Sequence, residues 1–313
     1  LKLQTHTVSA DVKLDSNLKR KINFGFLGRY QNNFANPDTG VRRLIPDYDK
    51  YDFGVYITSE WEINDNTTVD AGLRYDFNRI DAQKFYRVSR WEERNYDVDF
   101  PQFEVEDFGT QLLTNPTFDY HNISASVGAK YLLNDSSYIL GNYSLSSRPP
   151  NPSELFSDGL HHSAARIEIG DLRLEQEISN RLAASYNLSL SEFQLNIEGF
   201  YNRINDFIYL RPNGIEQTIR GAFPLWEFTQ TNAALFGLDV YANYNITDNI
   251  SLSNTSAYIK GNDIKENIDL IDIPAFNTKN TMTYKNEAWY NFSTSLTSEW
   301  VFEQNDFPDF NFE

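Results

Sequence analysis

Apolar and polar residues alternate one by one along much of this chain, and this constrains its fold more than any other feature. In residues 67–77, Val69, Ala71, Leu73, Tyr75 and Phe77 fall on one side, and Thr68, Asp70, Gly72, Arg74 and Asp76 on the other. Residues 122–131 repeat the pattern, with Ile123, Ala125, Val127, Ala129 and Tyr131 opposing Asn122, Ser124, Ser126, Gly128 and Lys130. So do residues 193–201 and 235–244. A period of two puts alternate side chains on opposite faces of a strand, whereas a helix repeats every three to four residues. The spacing predicts about twelve strands, at 3–14, 18–32, 50–63, 67–82, 117–133, 137–148, 177–190, 193–212, 225–246, 250–261, 274–284 and 289–303. Many exceed the roughly five or six residues usual in soluble sheets, and reach the roughly nine to eleven that a tilted strand needs to cross a bilayer.

The connections are sorted by length. Tight polar turns such as Asn64-Asp65-Asn66, Asn134-Asp135-Ser136 and Thr247-Asp248-Asn249 alternate with long connections at 33–49, 84–116, 149–176, 213–224 and 262–273. Asp15-Ser16-Asn17 is another of the tight turns. Short turns on one side and long loops on the other are the pattern of an outer-membrane barrel. Composition agrees. The chain is acidic, with net charge -17, polar by a mean hydropathy of -0.54, yet 15% aromatic. A barrel wall with one lipid face and one polar face reconciles these values. Tyr30, Trp61, Tyr131, Tyr186, Tyr244, Tyr284, Trp289 and Trp300 lie toward strand ends, where a membrane interface favours them. No apolar run is long enough for a membrane-spanning helix, and no signal peptide is visible. The acidic balance argues against nucleic acid as a partner. With no cysteine, disulfides, thiolate metal sites and cysteine nucleophiles are excluded.

The connection after residue 148 is the most distinctive. It carries Arg148-Pro149-Pro150, then Glu154-Leu155-Phe156, Gly159 and His161, then Glu168-Ile169-Gly170-Asp171-Leu172 with Glu175. This succession resembles the late-barrel signature of TonB-dependent outer-membrane receptors: Arg-x-Pro, Glu-Leu-Phe/Tyr, Gly-x-His, and a box ending in Leu-x-x-Glu. The likeness is specific over 148–176 and is carried by pattern elsewhere, including residues 277–286 and 289–300. It implies a transmembrane antiparallel β-barrel of 22 strands around an N-terminal plug, in the bacterial outer membrane, taking up a scarce nutrient such as an iron–siderophore or haem with energy from TonB. Residues 1–313 are then expected to be a partial barrel, roughly its eighth to nineteenth strands, without the plug, the first strands or the last. The final residue, Glu313, is not the aromatic expected at a barrel's C-terminus.

For the cargo, the loop offers His161, His162, Arg166 and Glu168, and a second loop offers Arg211 and Trp226 as stacking or charged contacts. The histidines have two readings. In haem receptors of this family a histidine lies between the same two boxes, and imidazole suits haem iron or zinc. Alternatively they are solvated loop residues, since neighbours on an extended chain point to opposite sides. The metal, if any, is unspecified, and no resident cofactor is implied. Arg74, Asp76, Glu198, Arg203 and Asp239 are expected to face the lumen, and the loop arginines Arg42, Arg43, Arg87, Arg90 and Arg94 to meet solvent, an anionic ligand or outer-leaflet lipid. The implied partners are outer-membrane lipid, TonB through a plug outside this sequence, a small-molecule or metal-chelate ligand and a surface lipoprotein. A passive channel is the alternative to active uptake. An enzyme would need a triad, and His121 with Ser124 lacks an orienting acid.

Overall fold

The computed structural model describes residues 2–16, 19–34 and 43–310. Strands dominate it. In chain order they are β1 (Lys2–Ser16), β2 (Arg20–Phe34), β3 (Asp47–Asn64), β4 (Thr67–Arg87), β5 (Glu104–Asp107), β6 (Gln111–Thr114), β7 (Thr117–Asn134), β8 (Ser137–Arg148) and β9 (Asp158–His161). Then follow β10 (Arg166–Ile169), β11 (Glu177–Ser189), β12 (Phe193–Thr218), β13 (Gly221–Asn245), β14 (Ile250–Asp263), β15 (Ile268–Asp269), β16 (Asn277–Asn286) and β17 (Phe292–Val301). The twelve long strands match the expected twelve within a few residues, apart from the upward extensions noted below. They form one antiparallel meander, β1-β2-β3-β4-β7-β8-β11-β12-β13-β14-β16-β17. Among the described residues, β1 pairs only with β2 and β17 only with β16, so the sheet is open at both edges.

The short turns are held by their own polar residues. Asn64 accepts from the Asn66 amide and Asn134 from the Ser136 amide, each at 2.9 Å. Such side-chain-to-backbone closure is why asparagine and aspartate fill tight turns. Asn17 and Arg42 lie outside the described residues.

The register shows what each face does. On β4 the odd residues point outward: Leu73 is 54% exposed, and its neighbours in the ladder, Ile57 on β3 and Ala125 on β7, share its face. Val69 to Phe77 spans about 26 Å along the strand, or about 20 Å across a bilayer at a tilt of about 40°. That is close to the apolar band of an outer-membrane barrel. Above Phe77 the outward residues become Arg79, Asp81, Gln83 and Arg87, with Phe85 the one aromatic among them.

The inward face inverts at the same level. Below it are Arg74 and Asp76, ion-paired to each other, and Asn78. Above it are Ile80, Ala82 and Tyr86, all buried, with Lys84 among them. At the seam a polar belt crosses the wall. Asp52 accepts from Arg29 at 3.0 Å and from Asn78 at 2.6 Å; Asn122 donates to Asn78, and Ser147 donates to Asn122, both at 2.7 Å. Thus β3, β4, β7 and β12 carry a lipid-type face at one end and the wall of a soluble-type core at the other.

Three expectations need correction. The segment 213–224 is not a loop: β12 and β13 continue to a tight turn at Thr218–Gly221, and the ladder absorbs Pro212 and Gly214 (φ 84) in a register shift between Pro212 and Ile215. A bulge lets a strand carry a proline and a left-handed glycine without ending. Residues 84–116 are not a bare loop either; they hold the top of β4, helices α1 (Val88–Glu93) and α2 (Tyr96–Asp99), and the β5–β6 hairpin. Arg203 faces outward, because it lies two residues from the exposed Tyr201 in an unbroken stretch of ladder. The period of two leaves no other choice.

A charge on the outward face near mid-membrane is therefore costly. Leu73→Lys is expected to lower the unfolding free energy of the full-length protein in lipid vesicles by about 2–4 kcal/mol. The inward Ser126→Lys is expected to change it by less than about 1 kcal/mol. Equal losses in denaturant titrations would mean that the two faces are assigned wrongly.

Candidate functional site

The long connections gather at one end of the sheet and fold into a cap with its own core. Trp91 and Tyr96 of α1 and α2, Phe103, and Leu112 of β6 pack with Ile80, Tyr86 and Tyr120 from the strand tops. Tyr86, Trp91 and Tyr96 form a cluster of rings with centroids 5.1–6.3 Å apart. Burial raises the Tyr86 and Tyr96 phenols above the ordinary tyrosine value. For Tyr96 the nearby Asp171 carboxylate adds to this; its hydroxyl donates to Asp171 at 2.9 Å and accepts from the Leu172 amide at 3.1 Å.

The motif of residues 148–176 is the other half of this core. Leu155 is 1% exposed and Phe156 0%, and Pro150 and Leu172 are buried beside them. A short helix, α3 (Pro152–Phe156), presents them. Asn151 caps it by accepting from the Ser153 and Glu154 amides, Glu154 accepts in return from the Asn151 amide at 2.8 Å, and Pro152 sits in the first turn. That reciprocal cap, with proline at the start, is what fixes so short a helix.

Arg148, at the end of β8, ties the helix to the wall. Its guanidinium reaches both oxygens of Glu154 at 3.0–3.1 Å and Glu177 at 2.7 Å. Burial would lower its pKa, but the hydrogen bonds to Glu177 and Glu154 outweigh that and raise it. Glu177 also accepts from the Ile208 amide at 2.6 Å, beside a second register shift of β12, between Ile204 and Phe207. Gly170 has no room for a side chain: an added Cβ would lie 2.6 Å from the Glu154 carbonyl oxygen and from Leu155 backbone atoms. This close approach lets the Gly170 amide donate to Ser157 and the Asp171 amide to Glu154. Gly159 lies in β9 and Glu175 is exposed past the core, held through its backbone by Gln230 at 2.7–2.9 Å.

The residues singled out as cargo contacts separate into two places. His161, Arg166, Glu168 and Trp226 come together, because the β9–β10 hairpin lies parallel against β13, with Glu168 opposite Trp226. Glu168 is 5% exposed and accepts from Arg166 Nε and shares a hydrogen bond with His161 Nδ1, both at 2.8 Å. The Arg166 guanidinium sits 4.9 Å over the Trp226 ring. His162 is exposed and outside this cluster. Arg211 lies elsewhere, bonded to Glu266 at 2.7 Å and over the Phe310 ring. Among the described residues no three His, Cys, Asp or Glu side chains are placed to hold a metal ion.

Sequence reasoning missed the buried ions under the cap. Asp158, 1% exposed, receives Arg90 at 3.1 Å and Lys84 at 3.8 Å, and Arg90 continues to Glu216 on the β12 extension. The signal that could have revealed the cap was the density of rings in 84–116: Phe85, Tyr86, Trp91, Tyr96, Phe100, Phe103 and Phe108. That is too many for a solvated loop.

The family model for TonB-dependent receptor β-barrels matches residues 2–311. The chain belongs to that family. The rhizobactin receptor of Rhizobium meliloti (strain 1021) is 23% identical over 209 residues, covering 63% of this chain and 26% of that protein. Among solved structures, the copper transporter OprC superposes with a TM-score of 0.76 at 16% identity, over 98% of this chain and 46% of that one. The Serratia marcescens receptor HasR, solved with its hemophore HasA and heme, does so with a TM-score of 0.67 at 14% identity, over 96% and 51%. The chain thus spans roughly a quarter to a half of the length of these relatives. They are receptors and transporters, not enzymes, and the family's barrels lie in the bacterial outer membrane. The fold of this chain is theirs, and its capped end is the side that carries long loops, the extracellular one.

Because the motif is a packing device, its disruption should loosen the cap before the barrel. Phe156→Ala is expected to cost the cap about 3–5 kcal/mol. Gly170→Ala should expose residues 149–176 to protease while the barrel keeps its heat-resistant migration in gels. A free tyrosine ionises near pH 10, and burial keeps Tyr86, Tyr96 and Tyr120 of the cap protonated beyond it. Their raised values stabilise the cap fully below about pH 10, and that contribution fades as pH climbs through the folded-state values. Phenolate absorbance should therefore show a late step that Phe156→Ala moves earlier; a single step in both proteins would refute the buried cluster.

Proposed function

We propose that this chain forms part of the barrel of an outer-membrane receptor that takes up a scarce nutrient as a metal chelate or haem, driven by TonB. The observation that carries the reading is the family match across residues 2–311. In this reading further strands of the same protein pair with the free edges of β1 and β17, because an unpaired edge in lipid leaves backbone groups without partners. An N-terminal plug fills the lumen and conveys the pull of TonB. Outer-membrane lipid surrounds the band around Leu73, and a surface lipoprotein or carrier protein is a further partner over the cap.

The donors that this chain contributes do not suit bare copper(I). The chain has no cysteine and one methionine, Met282, which is 49% exposed on the outward face beside Leu252 and Leu296. Soft sulfur ligands suited to copper(I) are therefore missing from this wall. His161 keeps one ring nitrogen on Glu168, so it contacts cargo only through the other. The passive-channel alternative has no observation in its favour: a channel of twelve strands needs β1 to meet β17.

Three measurements test the reading. The intact mass of the protein from its native membrane should be on the order of 80 kDa, that of a 22-stranded barrel with plug. Uptake of radioiron chelates or haem by cells lacking the gene should fall to background, and so should uptake by cells that keep the gene but lack TonB. Uptake that persists without TonB sinks the active-transport reading. His161→Ala with His162→Ala should weaken haem binding if haem is the cargo, and leave an iron–siderophore unaffected.

A further inference from the structure

A cleft of about 770 Å³ opens under the cap, on the lumen side. Its back wall is Phe118 and Tyr120, which stand on the inward face of β7 with ring centroids 6.3 Å apart and nearly parallel. Phe100 flanks them, stacked on Phe103 at 5.4 Å, and Leu172 and Leu174 close the wall from the motif side. Phe100 and Phe118 are only half-buried. Both thus keep part of their surface open to the cleft.

The charge around these rings is one-sided. Asp99, Arg173 and Glu175 line the cleft. Arg173 is fully engaged: Nε and Nη2 hold Asp99 at 2.7–2.8 Å, Nη1 holds Asp171 at 3.4 Å, Nη2 also donates to the Arg94 carbonyl, and the guanidinium lies 4.8 Å over the Tyr96 ring. Of the charged side chains that line the cleft, the one cation, Arg173, thus faces two carboxylates, Asp99 and Glu175. Glu175 is exposed, and no ion pair to its carboxylate is found among the described residues. An anionic ligand would meet no free donor cation here. A cation would meet aromatic rings, whose faces are negative, and a carboxylate with no ion pair among the described residues.

We propose that this cleft receives a cationic organic group, of the alkylammonium class, carried by the cargo. The rings of Phe100, Phe118 and Tyr120 cover its apolar surface, and Glu175 with Asp99 supplies the opposite charge. This gives the cargo a chemical class and rests on the uptake reading; the cleft's preference is measured without uptake, so the two can fail separately. If transport proves independent of TonB and choline still binds, only the uptake reading falls.

The test is titration calorimetry of the full-length receptor in a nonionic detergent with choline and with 3,3-dimethyl-1-butanol, its neutral carbon isostere. Choline is expected to bind about tenfold more tightly than the isostere, since the shapes agree and only the charge differs. Glu175→Gln should weaken choline about threefold to fivefold and leave the isostere unchanged. That substitution keeps the backbone contacts to Gln230, so the cap stays folded. Phe100→Leu should weaken choline by a similar factor. Added salt should weaken choline and not the isostere. Equal affinity for the two probes, choline binding that Glu175→Gln does not alter, or absence of choline binding would each overturn the proposal.

Discussion

Everything in this structure depends on satisfying backbone hydrogen bonds where no water can do it. In hydrocarbon an unpaired amide or carbonyl costs several kcal/mol, so a chain of strands must pair edge to edge without interruption. The twelve long strands do this through one continuous antiparallel ladder, from Lys2↔Phe34 at one edge to Asn286↔Phe292 at the other. Once the ladder is fixed, the period of two assigns every side chain to lipid or lumen. Tight asparagine turns and long loops then fall to opposite ends.

The same strands serve two solvents. Below Phe77 the outward residues of β4 are apolar and the inward ones polar; above it, Ile80, Ala82 and Tyr86 are buried inward and Arg79 and Gln83 face water. The inversion is the local answer to one rule: apolar surface is placed where water is not. In the membrane that is outside the wall. Above it, the only dry place is inside, under the cap. The Asp52–Asn78–Asn122–Ser147 belt lies at the changeover, where neither solvent suits a bare carbonyl or amide.

The family signature reads differently once its contacts are known. Leu155, Phe156 and Leu172 are core residues, Gly170 is glycine because α3 passes over it, and Arg148 with Glu154 and Glu177 fastens the connection to β8, β11 and β12. Most of the motif therefore builds the platform on which variable residues stand. Of the residues expected at the cargo, Arg166, Glu168, Trp226 and His161 form one cluster at the β9–β10 hairpin, and Arg211 belongs to another neighbourhood. Glu175, read only as the end of the motif, lines the cleft beside Leu172 and Arg173.

Alternation was legible residue by residue, because strand faces follow from sequence spacing alone. It gave the twelve strands, the sorting of turns apart from 213–224, and the side of the residues assigned from it apart from Arg203. The cap was not legible. Its core joins Trp91 to Phe156 and Asp158 to Arg90 and Lys84 across more than 60 residues of chain, with no period linking them. The extension of β12 and β13 past Pro212 was hidden for a related reason, since a bulge cancels a breaker only when a partner strand is in place. Sequence determined which face of each strand meets lipid, because that depends on neighbours two residues away. Tertiary structure alone decided which rings, ions and carboxylates meet under the cap, because those contacts exist only after the wall has brought distant segments together.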